Sequence, residues 1–167
     1  MSTSDYKSDA LIAKERLATV SPSMCLAKWN QTSLHLPTGL TNSCYHPPLH
    51  EIDADKLQTN PAALHNTAEK LNQRQQMLQG EQPEGCSYCW NIEKTGEMSD
   101  RHYRSGEPWA MQDFEDIRQN PIDEHWTPRY VEVNFNNACN LKCSYCSPQF
   151  STTWGKEIDR YGQYPTS

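Results

Sequence analysis

The chain has 167 residues, a formal net charge of −6 and seven cysteines. Leu, Ile, Val and Phe make up only about 14% of it, below the roughly 20% that usually supports a packed core, although Trp and Tyr are plentiful. The acidic balance argues against nucleic-acid binding, and no segment is apolar enough for a signal peptide or a membrane span. We therefore expect a cytoplasmic chain without membrane or nucleic-acid partners, in which cysteines serve as ligands or redox groups rather than disulfides.

The first two segments are a lead-in and a hairpin. Residues 1–20 are polar and predict a short helix or a mobile lead-in. In the stretch "TSLHLPTGLTNSC", Leu34 and Leu36 alternate with polar neighbours, and the turn residues that follow end at Gly39. This pattern predicts a β-hairpin whose turn needs a positive φ at Gly39.

Residues 60–80 have the strongest helix pattern in the sequence. Asn60 is a suitable cap, Pro61 suits the first helical position, and Gly80 suits the exit. The residues expected on the buried face share helical spacing and are Leu64, Ala68, Leu71 and Leu78. The pair Cys86 and Cys89 follows directly.

The remaining segments predict a linker, a strand and a helix. Residues 91–128 are polar and predict a linker with one short helix near 111–119, whereas "RYVEVNF" alternates as a strand that places Val131, Val133 and Phe135 on one face. A helix is expected to begin within "STTWGKEIDRYGQY", with Phe150 and Trp154 packed in the core. The carboxylates expected to be solvated surface groups are Glu81, Glu84, Asp113, Glu115 and Asp116.

Three cysteines lie within eight positions in "NACNLKCSYCSPQF", at the spacing C-x3-C-x2-C. Cys139, Cys143 and Cys146 supply three thiolates, which would fix three irons of a four-iron cluster and leave the fourth open to another ligand. Structural zinc prefers four ligands in paired C-x2-C knuckles, so zinc or chance clustering is the weaker interpretation.

This loop, directly after the strand "VEVNF", resembles the signature of the radical S-adenosylmethionine (radical SAM) enzymes. The resemblance implies that the open iron binds S-adenosylmethionine and that an electron from a donor such as flavodoxin or ferredoxin cleaves it to a 5′-deoxyadenosyl radical. That radical would abstract hydrogen from a substrate. Tyr145, the aromatic residue before the last cysteine, would lie against the adenine by its position in the motif.

The other four cysteines flank the hairpin and follow the helix. Together, Cys25, Cys44, Cys86 and Cys89 would complete a four-thiolate site, and these spacings suit an iron–sulfur cluster or zinc. Free thiols, with the last two as a redox pair, are a weaker alternative. His46 and His50 are the substitute ligands to consider, although a loop histidine is more often solvated.

The pattern C-x(9–15)-G-x4-C followed by C-x2-C is similar to the SPASM/Twitch auxiliary-cluster modules of radical SAM proteins, over about residues 24–155. The fold class expected is α/β, with a hairpin-plus-helix metal module followed by the first strand, cluster loop and helix of an incomplete barrel. The expected domains are a lead-in at 1–20, a Twitch-like module at 21–92, a linker at 93–128 and the start of the radical SAM core at 129–167.

The resulting hypothesis is a radical SAM iron–sulfur protein, of which this chain is a piece, acting on an unknown substrate. Peptide or protein modification is suggested by family analogy alone. Two alternatives stay open: a non-catalytic module that binds zinc or an iron–sulfur cluster, and an electron-transfer protein with two clusters.

Overall fold

The computed structural model describes residues 3–164. The first two residues of the predicted lead-in and the last three of the predicted core segment lie outside the described residues. Within that range the helices are α1 Thr3–Ala18, α2 Ala27–Asn30, α3 Ala54–Leu57, α4 Ala68–Leu78, α5 Ser87–Glu93, α6 Asp100–Gly106, α7 Pro108–Met111, α8 Phe114–Gln119 and α9 Thr152–Tyr161. The strands are β1 Gln31–His35, β2 Leu40–Asn42, β3 His50–Glu51 and β4 Tyr130–Asn134. None of the described helices has the length and apolar character needed to cross a bilayer.

The strands form one sheet in the order β3-β2-β1-β4. β1 and β2 pair in antiparallel fashion, and the turn between them contains Gly39 at φ 66°, so the predicted hairpin and its left-handed glycine are confirmed. β4 runs parallel to β1, with Gln31 opposite Tyr130 and His35 opposite Asn134. The strand that leads to the three-cysteine loop therefore belongs to the same sheet as the N-terminal hairpin.

The core includes one helix from the predicted lead-in and one from the predicted linker. Ala10, Ala13 and Leu17 of α1 are completely buried, so this helix is part of the packed structure. Half of the residues in the segment 93–128 are helical, more than the one short helix expected there, and the segment places Phe114 and Ile117 of α8 in the core beside Trp29. The short helix expected near 111–119 is present as α8.

The long helix expected over 60–80 is divided. Asn60 caps a 3₁₀ turn at Pro61–Leu64, and a separate helix, α4, begins after Thr67, whose hydroxyl accepts a hydrogen bond from the Lys70 amide. The predicted apolar face is wrong, because Ala68 is exposed and the leucines are only half-buried. The side chains that α4 buries are instead Lys70, Gln73, Arg74 and Met77.

Hydrogen bonding explains why α4 buries polar side chains. The Lys70 Nζ donates to the hydroxyls of Thr32 at 2.6 Å and Thr41 at 3.0 Å, on β1 and β2. Arg74 donates to the Lys28 carbonyl at 3.1 Å and to Asn66 at 2.9 Å. Partners at these distances offset the cost of removing such groups from water, and the aliphatic stems pack like apolar residues.

An ion pair joins α8 to the start of β4. The guanidinium of Arg129, the residue before β4, donates to both carboxylate oxygens of Asp113 at 2.7 Å, while the Arg129 amide donates to the Asn30 carbonyl at 2.9 Å. Asp113 is only 4% exposed. The expectation that Asp113 is a solvated surface group is therefore wrong.

The C-terminal part has little cover in the described residues. The predicted β4 is confirmed, but its apolar face is exposed at Val131 and Val133. The expected C-terminal helix is also confirmed as α9, which buries none of its side chains. Phe150 is 44% exposed, so the core position predicted for it is wrong, and Trp154 is only half-buried.

Candidate metal centres

Cys25, Cys44, Cys86 and Cys89 line a single cavity. Cys25 precedes α2, Cys44 lies two residues after β2, and the other two lie at the entry to α5 and in its first turn. Three are buried and Cys44 is half-buried. The sequence predicts that these four side chains come together, and the hairpin and helices bring them to one place; that they hold a metal remains a prediction.

A buried ion pair fixes the elements that carry these thiols. Arg101 of α6 donates to both carboxylate oxygens of Glu93 on α5, at 2.9 and 2.6 Å, and to the Met24 carbonyl at 2.7 Å. The Ser99 hydroxyl adds a bond of 2.6 Å to the same carboxylate. Because Met24 adjoins Cys25 and α5 carries Cys89, this cluster holds the two cysteine-bearing segments against α6.

The thiols are electrostatically perturbed. Burial raises the pKa of Cys25, raises that of Cys44 to about 11, and raises that of Cys89 to about 12. The neighbouring cysteines add to each shift, as expected for thiols that line one cavity. Metal-free thiols of this kind stay protonated near pH 7, so a metal would displace their protons on binding.

A buried cation faces this cavity. Lys28 is only 2% exposed and lines the cavity, and its Nζ hydrogen-bonds the neutral Gln73 side chain at 2.5 Å rather than a carboxylate. Its charge opposes the rise in pKa of both Cys25 and Cys44. Four thiolates around a divalent ion or a four-iron core carry a net negative charge, which Lys28 would offset, so the donor set and its surroundings fit such a group.

The space between the thiols is small. The cavity measures about 20 Å³, room for about one water molecule. A four-iron core would have to move the surrounding side chains apart, whereas a single ion would need the thiols to converge further. Among the residues with described side chains, no three His, Cys, Asp or Glu groups are arranged to hold one metal ion.

The two histidines considered as substitute ligands differ in position. His46 lines the cysteine cavity, but its Nε2 lies 2.8 Å from an Asp100 carboxylate oxygen and its ring stacks on Tyr88 at 3.8 Å. His50 does not line the cavity, and its Nε2 lies 2.8 Å from the Thr67 hydroxyl. Burial lowers the pKa of His50. These contacts give both rings structural partners.

The three-cysteine loop is held by the first turn of α9. The Thr153 hydroxyl donates to the Cys139 carbonyl at 2.6 Å, and the indole Nε1 of Trp154 donates to the Cys143 carbonyl at 3.1 Å. Ser151, which caps α9, also donates its hydroxyl to the Leu141 carbonyl at 3.0 Å. Hydrogen bonds to the carbonyls of three alternate residues therefore fix a loop that has no regular secondary structure of its own.

The thiols of this loop are accessible. Cys139, Cys143 and Cys146 are half-buried, and the Cys146 amide donates to the Cys143 carbonyl at 3.0 Å. The Tyr145 side chain is 91% exposed, and a hydrogen bond with Cys143 raises its pKa. The loop places the three cysteines within one short turn without closing their sulfur atoms around a common point.

Several residues near the cysteine cavity escaped sequence reasoning. Lys28, Arg101 and Glu93 are charged and scattered through polar segments, so no periodic pattern distinguishes them. Comparisons of the chain with protein-family models, with curated proteins and with solved structures found no match.

Proposed function

We propose that the chain is part of a radical SAM protein in which Cys139, Cys143 and Cys146 hold a four-iron cluster. The observation that carries the proposal is the C-x3-C-x2-C sequence in a loop between a parallel strand, β4, and a helix, α9. A bound cluster with one open iron would supply the electron that cleaves S-adenosylmethionine.

The contacts around the loop support this role. The first turn of α9 holds the carbonyls of Cys139 and Cys143, so the chain's own hydrogen bonds keep these residues in place. The half-exposed thiols are open to metal and to an electron donor such as flavodoxin or ferredoxin. Tyr145 is exposed and available to lie against an adenine ring, as its motif position suggests.

Uncovered apolar surface supports the view that this chain is one piece of an α/β barrel. In the described residues β4 is an edge strand, and Val131, Val133 and Phe135 are exposed beside it. A further strand could pair with the free edge of β4, and further helices packed on the sheet would cover its exposed apolar side chains. Because positioning of the reacting groups dominates such chemistry, we expect the chain alone to release 5′-deoxyadenosine slowly at most.

Metal loading tests the proposal. Anaerobic reconstitution should load about eight irons per chain if both cysteine sets hold four-iron clusters. Replacing Cys139, Cys143 and Cys146 together with Ala should remove half of the iron, and the matched replacement of the four N-terminal cysteines should remove the other half. Loss of all iron, or of none, in either variant would contradict two independent sites.

The open iron has its own test. S-adenosylmethionine added to the reduced protein should change the paramagnetic resonance spectrum of the Cys139/Cys143/Cys146 cluster. The same addition to the triple Ala variant, which retains the N-terminal site, should change nothing. An unchanged spectrum in the parent chain at saturating S-adenosylmethionine would refute its binding at this loop and favour an electron-transfer role.

A second candidate function is a non-catalytic metal module. It is favoured by the cavity that Cys25, Cys44, Cys86 and Cys89 line together, because that site needs only its own thiols and the buried cation Lys28. Zinc without iron or acid-labile sulfide in protein purified anaerobically, together with no iron uptake on reconstitution, would support this alternative.

A further inference from the structure

A second, larger cavity opens at the carboxyl ends of β1 and β4. It measures about 680 Å³, within the range of about 300–1,000 Å³ typical of small-molecule sites. We call it the polar cleft; its walls include Ser33, His35, Asn42, Glu132, Asn134 and Phe150. Tyr45 and Pro47 line both the polar cleft and the cysteine cavity, so the two spaces are neighbours.

Strand register explains the polar floor of the cleft. Ser33 on β1 lies opposite both Asn42 on β2 and Glu132 on β4, so the three side chains cross the sheet on one face. The Ser33 hydroxyl donates to a Glu132 carboxylate oxygen at 2.9 Å, which confirms the shared face. The ends of neighbouring parallel strands are a common location for ligand sites.

Unused hydrogen-bonding atoms lie in this floor. Asn42 is 7% exposed, and its Oδ1 has no hydrogen-bond partner. The Nδ1 of His35 is likewise buried and without a partner, while the His35 ring lies 5.7 Å from Phe150. Buried polar atoms are nearly always hydrogen-bonded, so a water molecule or a ligand group that reaches these two atoms would complete their hydrogen bonding.

The cleft has a carboxylate without a cation. Glu132 accepts hydrogen bonds from two neutral hydroxyls, those of Ser33 and of Tyr130, the latter at 3.2 Å. No Lys or Arg lines the cleft in the described part of the chain. Arg104 is linked to this carboxylate only indirectly. Its guanidinium donates to the Tyr45 hydroxyl at 3.1 Å, and Tyr45 in turn hydrogen-bonds the Tyr130 hydroxyl. A carboxylate retains further acceptor positions after two hydrogen bonds.

We propose that the polar cleft binds an alkylammonium or alkylguanidinium group, as carried by lysine and arginine side chains, with Glu132 as its counter-ion. Leu49 and Phe150 at the wall of the cleft contact the aliphatic stem, and the carboxylate of Glu132 accepts the N–H donors of the cation. Binding of the cation needs no metal. The inference rests on the proposed function only where it treats the ligand as a substrate of the three-cysteine loop.

The experiment compares two ligands of nearly equal shape on the metal-free chain. Nα-acetyl-arginine amide carries the cation, and Nα-acetyl-citrulline amide replaces the guanidinium with a neutral urea. Amide chemical shifts at Ser33, Asn42 and Glu132 report binding. We expect the arginine compound to shift them with an affinity at least about tenfold higher than the citrulline compound, a difference of about 1.4 kcal/mol.

Variants localise the effect. Glu132→Gln should reduce the affinity for the arginine compound to that of the citrulline compound. The control variant Glu115→Gln, which changes an exposed carboxylate, should leave the affinity for the arginine compound unchanged. Equal binding of both compounds, no binding at about 20 mM, or equal losses in the two variants would overturn the proposal. The ligand comparison on the parent chain stands even if Glu132→Gln fails to fold. Because no iron is used, these outcomes are separate from those that test the radical SAM proposal.

Discussion

Replacing Glu93 with Gln should lower the free energy of unfolding by about 3 kcal/mol at pH 7. The substitution keeps the shape but leaves the Arg101 guanidinium, whose side chain is only 6% exposed, without its counter-ion. Removing one partner of a buried ion pair costs about 3–5 kcal/mol, and the lower end applies because the Glu93 side chain is 20% exposed. For a chain of this size the midpoint of thermal unfolding should fall by roughly 6–12 °C.

The assay is chemical unfolding of the reduced, metal-free chain, followed by circular dichroism. Glu115→Gln is the matched control, because Glu115 also contacts two arginines, Arg16 and Arg118, but its side chain is 52% exposed. Exposed ion pairs contribute little to stability, so this control should lose far less than Glu93→Gln. Equal losses in the two variants would refute the claim that the Glu93–Arg101 pair clamps the cysteine-bearing segments.

The pH dependence gives an independent check. Burial alone would raise the pKa of Glu93, but hydrogen bonds from Arg101 and Ser99 outweigh it and hold that pKa below the usual 4.5. A lowered pKa in the folded state stabilises the protein above the unfolded value, and this stabilisation is lost as the pH falls through the folded pKa. The difference between the parent and Glu93→Gln should therefore persist down to about pH 5 and shrink below it.

Three further predictions concern single side chains. Burial lowers the pKa of Lys70 to about 6, so the folded protein favours the neutral form of this side chain. The free energy of unfolding of the parent should therefore rise relative to that of Lys70→Met as the pH increases from about 6 to about 10. A constant difference between the two proteins across that range would contradict this. Gly39→Ala should lower the free energy of unfolding by about 1 kcal/mol, because the φ of Gly39 is 66°, although there is open space for the added methyl group. Gly155 also has open space around it but lies within a helix, so Gly155→Ala should raise the free energy of unfolding by roughly 0.5–1 kcal/mol. Effects of the same sign would show that backbone conformation does not decide the outcome. Trp154→Phe removes the donor to the Cys143 carbonyl and should speed alkylation of that thiol several-fold, with the alkylation of Cys25 as the internal reference; unchanged rates would mean that the indole does not anchor the loop.

Local patterns predicted the parts of the fold that local chemistry determines. The hairpin with its glycine turn, β4 and α9 all follow from alternation, turn residues or helix starts within a few positions. The convergence of Cys25, Cys44, Cys86 and Cys89 on one cavity was also anticipated, because a hairpin followed by a capped helix can bring four thiols together.

The contacts that depend on distant partners were not predictable. The buried face of α4 was misassigned because hydrophobic periodicity cannot show that Lys70 will meet two hydroxyls from a sheet about thirty to forty residues earlier in the chain. Asp113 was misplaced for the same reason, since its partner Arg129 lies 16 residues further along the chain, beyond α8 and an irregular segment. The polar cleft requires the parallel pairing of β1 with β4, which no short-range pattern encodes.

The ion pair between Arg129 and Asp113 has a consequence at the far end of β4. Side chains alternate along a strand, so a slip of one residue in the pairing with β1 would exchange the two faces of β4. The side chains of Val131 and Val133 would then lie on the face of the sheet that carries Ser33 and Asn42, and the carboxylate of Glu132 would turn away from it. By fixing the residue that directly precedes the strand, a contact remote from the cleft determines whether the cleft presents a carboxylate or apolar side chains.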